Sequence, residues 1–108
     1  MKMNKRHATI MITAILLSFT SGCATRAVSN HSRNMAASCA ACHGTNGNSV
    51  GGAPVLAGMD KTHFVTQMKN LKSGARPATV MHQHAKGYSD EEIEMLASFY
   101  SAQKPLSE

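Results

Sequence analysis

The chain has 108 residues, of which 43% are hydrophobic, and it contains no tryptophan, so it can form one small domain with a modest core. Its formal net charge is +5, but Lys2, Lys5 and Arg6 supply three of the eleven basic residues, and without them eight basic residues stand against six acidic ones. Because the rest of the chain has no basic run and no recognised binding motif, nucleic acid is not an expected partner.

The first 22 residues have the pattern of a signal peptide. Three basic side chains precede an apolar run from Ala8 to Phe19, and small residues follow up to Cys23. This run is shorter than the roughly 20 residues that a membrane-spanning helix needs. The sequence therefore predicts export, with a retained N-terminal anchor as the alternative.

The segment "FTSGC", which ends at Cys23, resembles a bacterial lipobox, in which the cysteine is acylated and becomes the first residue of the mature protein. Thr20 stands where that motif usually has leucine. The resemblance implies a periplasmic protein with a lipid anchor at Cys23. The alternative is cleavage farther along the chain, which would discard or free the cysteine. Residues 23–32 are polar, lack apolar periodicity and are predicted to form a flexible tether.

The motif "SCAACHG" places Cys39, Cys42 and His43 at the end of a helix predicted from Ser32 to Cys42. Cys-x-x-Cys-His is typical of a c-type haem attachment site. One helical turn lets both thiols reach the vinyl edges of one porphyrin, while His43 supplies the proximal iron ligand. The alternatives are a disulfide or redox dithiol, whose thioredoxin-like form would need a strand-rich domain around it, and a zinc site, which has no second cysteine pair after residue 42 but which the histidines could in principle complete.

The haem would also stabilise a chain of this size, because a buried porphyrin adds a large apolar centre to a marginal core. We therefore expect the haem-free protein to be largely unfolded. The segment from Gly44 to Gly58 holds five glycines and one proline and is predicted to be a loop that lies closely against a flat cofactor.

Two more helices are predicted. Asp60 is the expected N-cap of the first, which ends before Gly74, and its apolar stripe comprises Phe64, Val65, Met68 and Leu71. Ser89 and Glu92 form a capping box that opens the second. The face of that helix predicted to pack on the first helix of the chain comprises Ile93, Leu96, Ala97 and Tyr100.

Taken in order, "CAACHG", "GAPVLAG", "THFVTQMKNLKSGARP" and "TVMHQHAKGYSDEEIEMLASFYSAQKP" resemble class I c-type cytochromes of the c4/c5-like group. The last block looks most like the haem subunit of flavocytochrome c sulfide dehydrogenases. The resemblance implies an all-α domain over residues 33–105, with three to five helices around one covalently bound haem c.

The resemblance also implies that Met81, in the loop before the last helix, is the sixth ligand of the iron. His82 and His84 are its rivals, since imidazole binds haem iron well. Other methionines fit less well because of their places in a helix or in the glycine-rich segment: Met35, Met59, Met68 and Met95.

Two residues outside this set are candidates for binding the cofactor. By the same resemblance, Pro54 should offer its backbone carbonyl to the second ring nitrogen of His43; the alternative is an ordinary turn proline. Arg76 could pair with a haem propionate, or it could be a solvated loop charge. Tyr88 is expected either near the haem or in support of the Met81 loop.

Three functions remain open at this stage. The first is an exported carrier that passes single electrons between redox proteins, a terminal oxidase among them. The second is a cytochrome subunit that accepts electrons from an FAD-containing sulfide dehydrogenase. This chain has no Rossmann glycine fingerprint and would not oxidise sulfide by itself. The third is a haem enzyme or gas sensor, which would require an open sixth position.

Overall fold

The computed structural model describes residues 23–106, with side chains from residue 30 onward, so the predicted signal peptide lies outside the described residues. This part of the chain is all-α, as predicted. Helix α1 spans Cys23–His43, α2 Lys61–Ser73, α3 Met81–Lys86 and α4 Asp90–Ser101, and a 3-10 turn lies at Thr45–Gly47. No helix within residues 23–106 combines the length and apolar character that crossing a membrane requires.

Helix α1 is longer than the sequence predicts. It was expected to begin at Ser32 after a tether, whereas the structure continues one helix from Cys23 to His43, so the segment predicted as a tether is helical. The segment contains Ala24, Arg26 and Ala27, which favour helix by intrinsic propensity. Apolar periodicity does not detect a helix of this kind, because apolar residues do not recur at every helical turn of the segment.

The ends of α2 follow the predicted local chemistry. The Asp60 side chain accepts a hydrogen bond from the backbone N–H of His63 at 2.9 Å, which caps the first turn. Gly74 closes the helix in the left-handed conformation, with φ of 82°. Of the predicted stripe, Phe64, Met68 and Leu71 are buried and Val65 is half-buried.

Helix α4 packs on α1 as predicted, and Tyr100 is the main contact. Tyr100 is only 1% exposed, and its hydroxyl donates to the backbone carbonyl of Ala36 in α1 at 3.3 Å. Its ring stacks on Phe64 of α2, with ring centroids 5.6 Å apart. Ile93 and Leu96 are fully buried on the same face of α4. One aromatic side chain thus joins the three longer helices.

Helix α3 was not predicted, because Met81 was expected in a loop. In the structure Met81 is the first of six helical residues, and Ala85 points into the core with no exposed surface. Gly87 ends the helix, and its N–H bonds to the carbonyl of His84 at 3.0 Å. A single buried alanine gives a helix of this length no detectable apolar period.

Candidate functional site

The last turn of α1 carries two free thiols and a buried imidazole. Cys39 is half-buried and packs against the hydrophobic core, whereas Cys42, one turn later, is exposed. His43, the next residue and the last of the helix, is 7% exposed. Because residues three apart in a helix lie on neighbouring positions of one face, both thiols can reach one ligand that also contacts the imidazole.

The ring of His43 is oriented by a backbone carbonyl. Its Nδ1 lies 2.8 Å from the carbonyl oxygen of Pro54, the contact that the family resemblance implies. A carbonyl oxygen can only accept, so Nδ1 carries the proton and donates it. The other nitrogen, Nε2, then holds the lone pair with which a neutral imidazole binds a metal.

The loop that supplies Pro54 is fixed by its own backbone. The carbonyl of Gly47 accepts hydrogen bonds from the N–H groups of both Leu56, at 2.8 Å, and Ala57, at 3.2 Å. Leu56 and Ala57 are buried, so these bonds are shielded from water. These bonds close the loop around the segment from Val50 to Pro54, whose last residue supplies the carbonyl that contacts His43.

Met81, the predicted sixth ligand, is the first residue of α3. It is half-buried and packs against the same hydrophobic core as Cys39. Of its two rivals, His84 is exposed, whereas His82 is half-buried and its Nδ1 is buried without a hydrogen-bond partner among the described residues. His82 therefore stays a rival on the basis of its position, and His84 is the less suited of the two histidines.

The other methionines lie in the places that the sequence predicts. Met68 is buried in the core stripe of α2, and Met59 contacts the core from the loop before that helix. Met35 lies in α1 one turn before Cys39 and also contacts the core. Met95 is half-buried on α4.

Arg76 is exposed and is held against α2. Its guanidinium donates to the side-chain oxygen of Gln67 at 2.6 Å, and its backbone N–H donates to the carbonyl of Asn70 at 3.0 Å. These contacts fix the start of the segment that leads to Met81. The proposed pairing of Arg76 with a propionate stays a prediction.

Tyr88 is held by contacts that the sequence did not reveal. Its hydroxyl lies 2.7 Å from the Ser38 hydroxyl in α1, and its backbone carbonyl accepts from the Lys72 ammonium of α2 at 2.7 Å. Burial raises the pKa of the Tyr88 phenol, and the hydrogen bond to Ser38 opposes part of that increase. Both partners are distant in sequence, so no local signal predicts them. The two roles expected of Tyr88, a place near the haem or support of the Met81 segment, stay predictions.

The residues fit a flat, largely apolar group with a metal at its centre. Two free thiols lie at the end of α1 together with an imidazole whose Nδ1 contacts a carbonyl, so that its Nε2 is the nitrogen that can bind a metal. Apolar side chains near Pro54 and Met81 stand open on the surface: Val50 is 98%, Val55 46% and Val80 56% exposed. These valines lie close in sequence to two of the candidate ligand-binding residues, Pro54 and Met81, so a bound apolar group could cover them.

Comparison with known proteins points to one family. The family described as cytochrome c oxidase, cbb3-type, subunit III matches residues 26–99. The cytochrome subunit of sulfide dehydrogenase from Chlorobaculum tepidum is 44% identical over 58% of this chain and 57% of its own length. The thiosulfate dehydrogenase electron acceptor from Thiomonas intermedia is 42% identical over 65% of this chain and 33% of its own length. Cytochrome c4 from Azotobacter vinelandii is 29% identical over 95% of this chain and 52% of its own length. The chain thus spans between a third and three fifths of these three relatives.

Proposed function

Because the chain belongs to the class I c-type cytochromes of the c4-like group, we propose that it transfers one electron at a time through a haem ligated by His43 and Met81. The cofactor of this family is covalently bound haem c, whose iron supplies a one-electron couple. The observation that supports the ligand set best is the hydrogen bond of 2.8 Å between His43 Nδ1 and the Pro54 carbonyl. In the neutral ring this contact leaves the lone pair on Nε2, and two free thiols precede the ring in the last turn of α1.

Each residue of the site then has a definite task. Cys39 and Cys42 hold the cofactor through thioether bonds, and the Pro54 carbonyl keeps His43 in one orientation and makes it a stronger donor. The Met81 sulfur would bind the iron and would thereby keep substrates and gases from it. Ligation by methionine and histidine raises the reduction potential relative to two histidines and suits electron transfer without bond making.

Two measurements test this function. A potentiometric titration of the purified protein should follow a single one-electron curve, and the reduced protein should not bind carbon monoxide at neutral pH. Carbon monoxide should bind the Met81→Ala variant, in which the sixth position is open. Binding to the unaltered protein would favour a haem enzyme or gas sensor and would overturn the carrier.

A second candidate is the narrower role of a subunit that accepts electrons from a flavoprotein. The observation in its favour is the 44% identity to a protein named cytochrome subunit of sulfide dehydrogenase. The name of another relative, thiosulfate dehydrogenase electron acceptor, supports a different sulfur-oxidising donor. In either case this chain would receive electrons, and the oxidation of the sulfur compound would occur on the partner.

The donor can be identified by stoichiometry. Oxidation of sulfide to zero-valent sulfur releases two electrons, so an FAD-containing sulfide dehydrogenase should reduce two chains for each sulfide consumed. The control is sulfide without the flavoprotein, which measures direct chemical reduction. Efficient reduction by thiosulfate dehydrogenase and thiosulfate, with none by the flavoprotein, would exclude the sulfide role.

We further propose that the protein acts in the periplasm, anchored by a lipid on Cys23. The support is the sequence before that residue, which has the charge, the apolar run and the small residues of a lipoprotein signal. Mass spectrometry of the mature N-terminus should find a diacylglyceryl-modified Cys23. In a Cys23→Ser variant the protein should move from the membrane fraction to the soluble fraction, or remain unprocessed.

A further inference from the structure

We propose that Lys72 is a positioning residue for Met81: by holding the Tyr88 carbonyl, it fixes the end of the short helix that presents the methionine to the iron. This inference rests on the proposed ligation by Met81. Lys72 lies on α2, and its hydrogen bonds among the described residues go to Tyr88 and Asp90 and not to Met81 or the candidate cofactor-binding residues, so we infer that its effect passes through Tyr88.

The contact is direct and occupies a carbonyl that no helix uses. The Lys72 ammonium donates to the Tyr88 carbonyl oxygen at 2.7 Å and to Asp90 Oδ1 at 3.2 Å. Tyr88 precedes Ser89, the N-cap of α4, so its carbonyl lies outside the hydrogen-bond ladder of that helix. The lysine side chain is 33% exposed, compared with 57% for Asp90, so the contact is partly shielded from water.

The segment that carries Met81 needs such a contact because it has little stability of its own. Helix α3 has six residues, and its N-cap, Val80, provides no side-chain hydrogen bond to the first turn. An isolated helix of this length is not stable in water. Contacts with other elements therefore hold it, at the Arg76 backbone before the helix and at Tyr88 after it.

Lys69 provides a matched control. It lies one turn before Lys72 on the same helix, and its ammonium is 3.4 Å from Asp90 Oδ2. Both lysines thus pair with the same carboxylate, but only Lys72 bonds to the carbonyl of Tyr88. A difference between the two variants would therefore report the Tyr88 contact and not the loss of a surface charge.

Binding of added imidazole to the oxidised haem protein measures how firmly Met81 is held. Imidazole binds only when the methionine has left, so its apparent dissociation constant falls in proportion as the methionine-free state becomes more populated. Lys72→Met keeps the aliphatic stem and removes the donor. We expect it to tighten imidazole binding about tenfold, which corresponds to about 1.4 kcal/mol.

Lys69→Met should leave the imidazole affinity within about twofold of that of the unaltered protein, because this substitution removes only an exposed ion pair. Lys72→Arg retains a cationic donor, so its imidazole affinity should lie close to that of the unaltered protein. The stability of each variant to guanidinium is measured in parallel, because a merely structural role would lower stability without changing imidazole affinity.

Equal imidazole affinities for Lys72→Met and Lys69→Met, in a protein that shows methionine ligation, would overturn the positioning role alone. If the unaltered protein shows no methionine ligation and Met81→Ala leaves its spectrum unchanged, the proposed ligand set fails, and this inference fails with it. The two failures are therefore distinguishable.

Discussion

At the scale of single residues, His43 shows how a backbone group can determine the chemistry of a side chain. The partner of its Nδ1 is the carbonyl of Pro54, which can accept but not donate, so one tautomer of the ring is selected. The ring is also buried, with 7% of its surface exposed. The orientation and the tautomer of the predicted iron ligand thus follow from the path of one loop.

Gly47 shows how tightly that loop is built. Its φ is 79°, and a Cβ at this position would lie 2.8 Å from both Leu56 Cβ and Tyr100 Cδ1. Gly74 has a similar φ of 82°, but nothing lies within 4 Å of the corresponding position. Alanine would therefore meet an unfavourable backbone conformation at both positions, but steric overlap only at Gly47.

We predict that Gly47→Ala destabilises the haem protein by about 2–4 kcal/mol, because it adds overpacking to an unfavourable backbone conformation. Gly74→Ala should cost only about 1 kcal/mol, from the conformation alone. Guanidinium unfolding of both variants measures the difference. Equal losses would show that the neighbours of Gly47 move aside and that the loop is not closely packed.

At the scale of elements, Asp90 joins α2 to the start of α4. The hydrogen bond from Lys72, followed by the charge of Lys69, lowers the pKa of its carboxyl below the ordinary value of 3.8. A carboxyl whose pKa is lower in the folded protein stabilises the fold above its unfolded pKa. That contribution is lost as the pH falls through the lowered, folded-state pKa.

We therefore predict that Asp90→Asn reduces the loss of stability between neutral pH and about pH 3, because the substituted side chain has no proton to gain. Guanidinium unfolding over this range measures the effect. Glu94→Gln is the control, since Glu94 lies on the same helix and forms no ion pair within the described residues. Identical pH profiles for Asp90→Asn and the unaltered protein would contradict the prediction.

The sequence predicted those elements whose signals are local. The side chain of Asp60 and the capping box of Ser89 and Glu92 lie where expected, because a cap depends only on residues within one turn. The hydrogen bond between Pro54 and His43 was expected from family resemblance and not from spacing. Contacts such as Lys72 with Tyr88 escaped prediction, because chain folding brings together residues that share no sequence pattern.

At the scale of the whole molecule, the hydrophobic core of the described residues is small for a chain of this length. Among the side chains that the structure describes, the largest with less than 2% of their surface exposed are Tyr100, Ile93 and Leu96, and the rest of the core consists of a few more buried apolar side chains and small alanines. The segments around Pro54 and before Met81 expose valines and contain little regular structure. A domain with so few buried side chains is marginal without a further apolar centre, and the covalent haem supplies one.

We accordingly predict that haem-free protein, made as a Cys39→Ala, Cys42→Ala double variant, is largely unfolded. Far-ultraviolet circular dichroism should show much less helix than in the haem protein under the same conditions. A native-like helical spectrum would contradict this prediction and would show that the contacts among α1, α2 and α4 suffice for folding.

The central claim is that Met81 and His43 ligate one haem that carries electrons, and the optical spectrum of the oxidised protein tests it most directly. A methionine sulfur bound to ferric haem gives a weak far-red absorption band. We predict that the unaltered protein shows this band, that Met81→Ala abolishes it, and that Met59→Ala, which removes another methionine in contact with the core, retains it. Absence of the band, or its survival in Met81→Ala, would contradict the account.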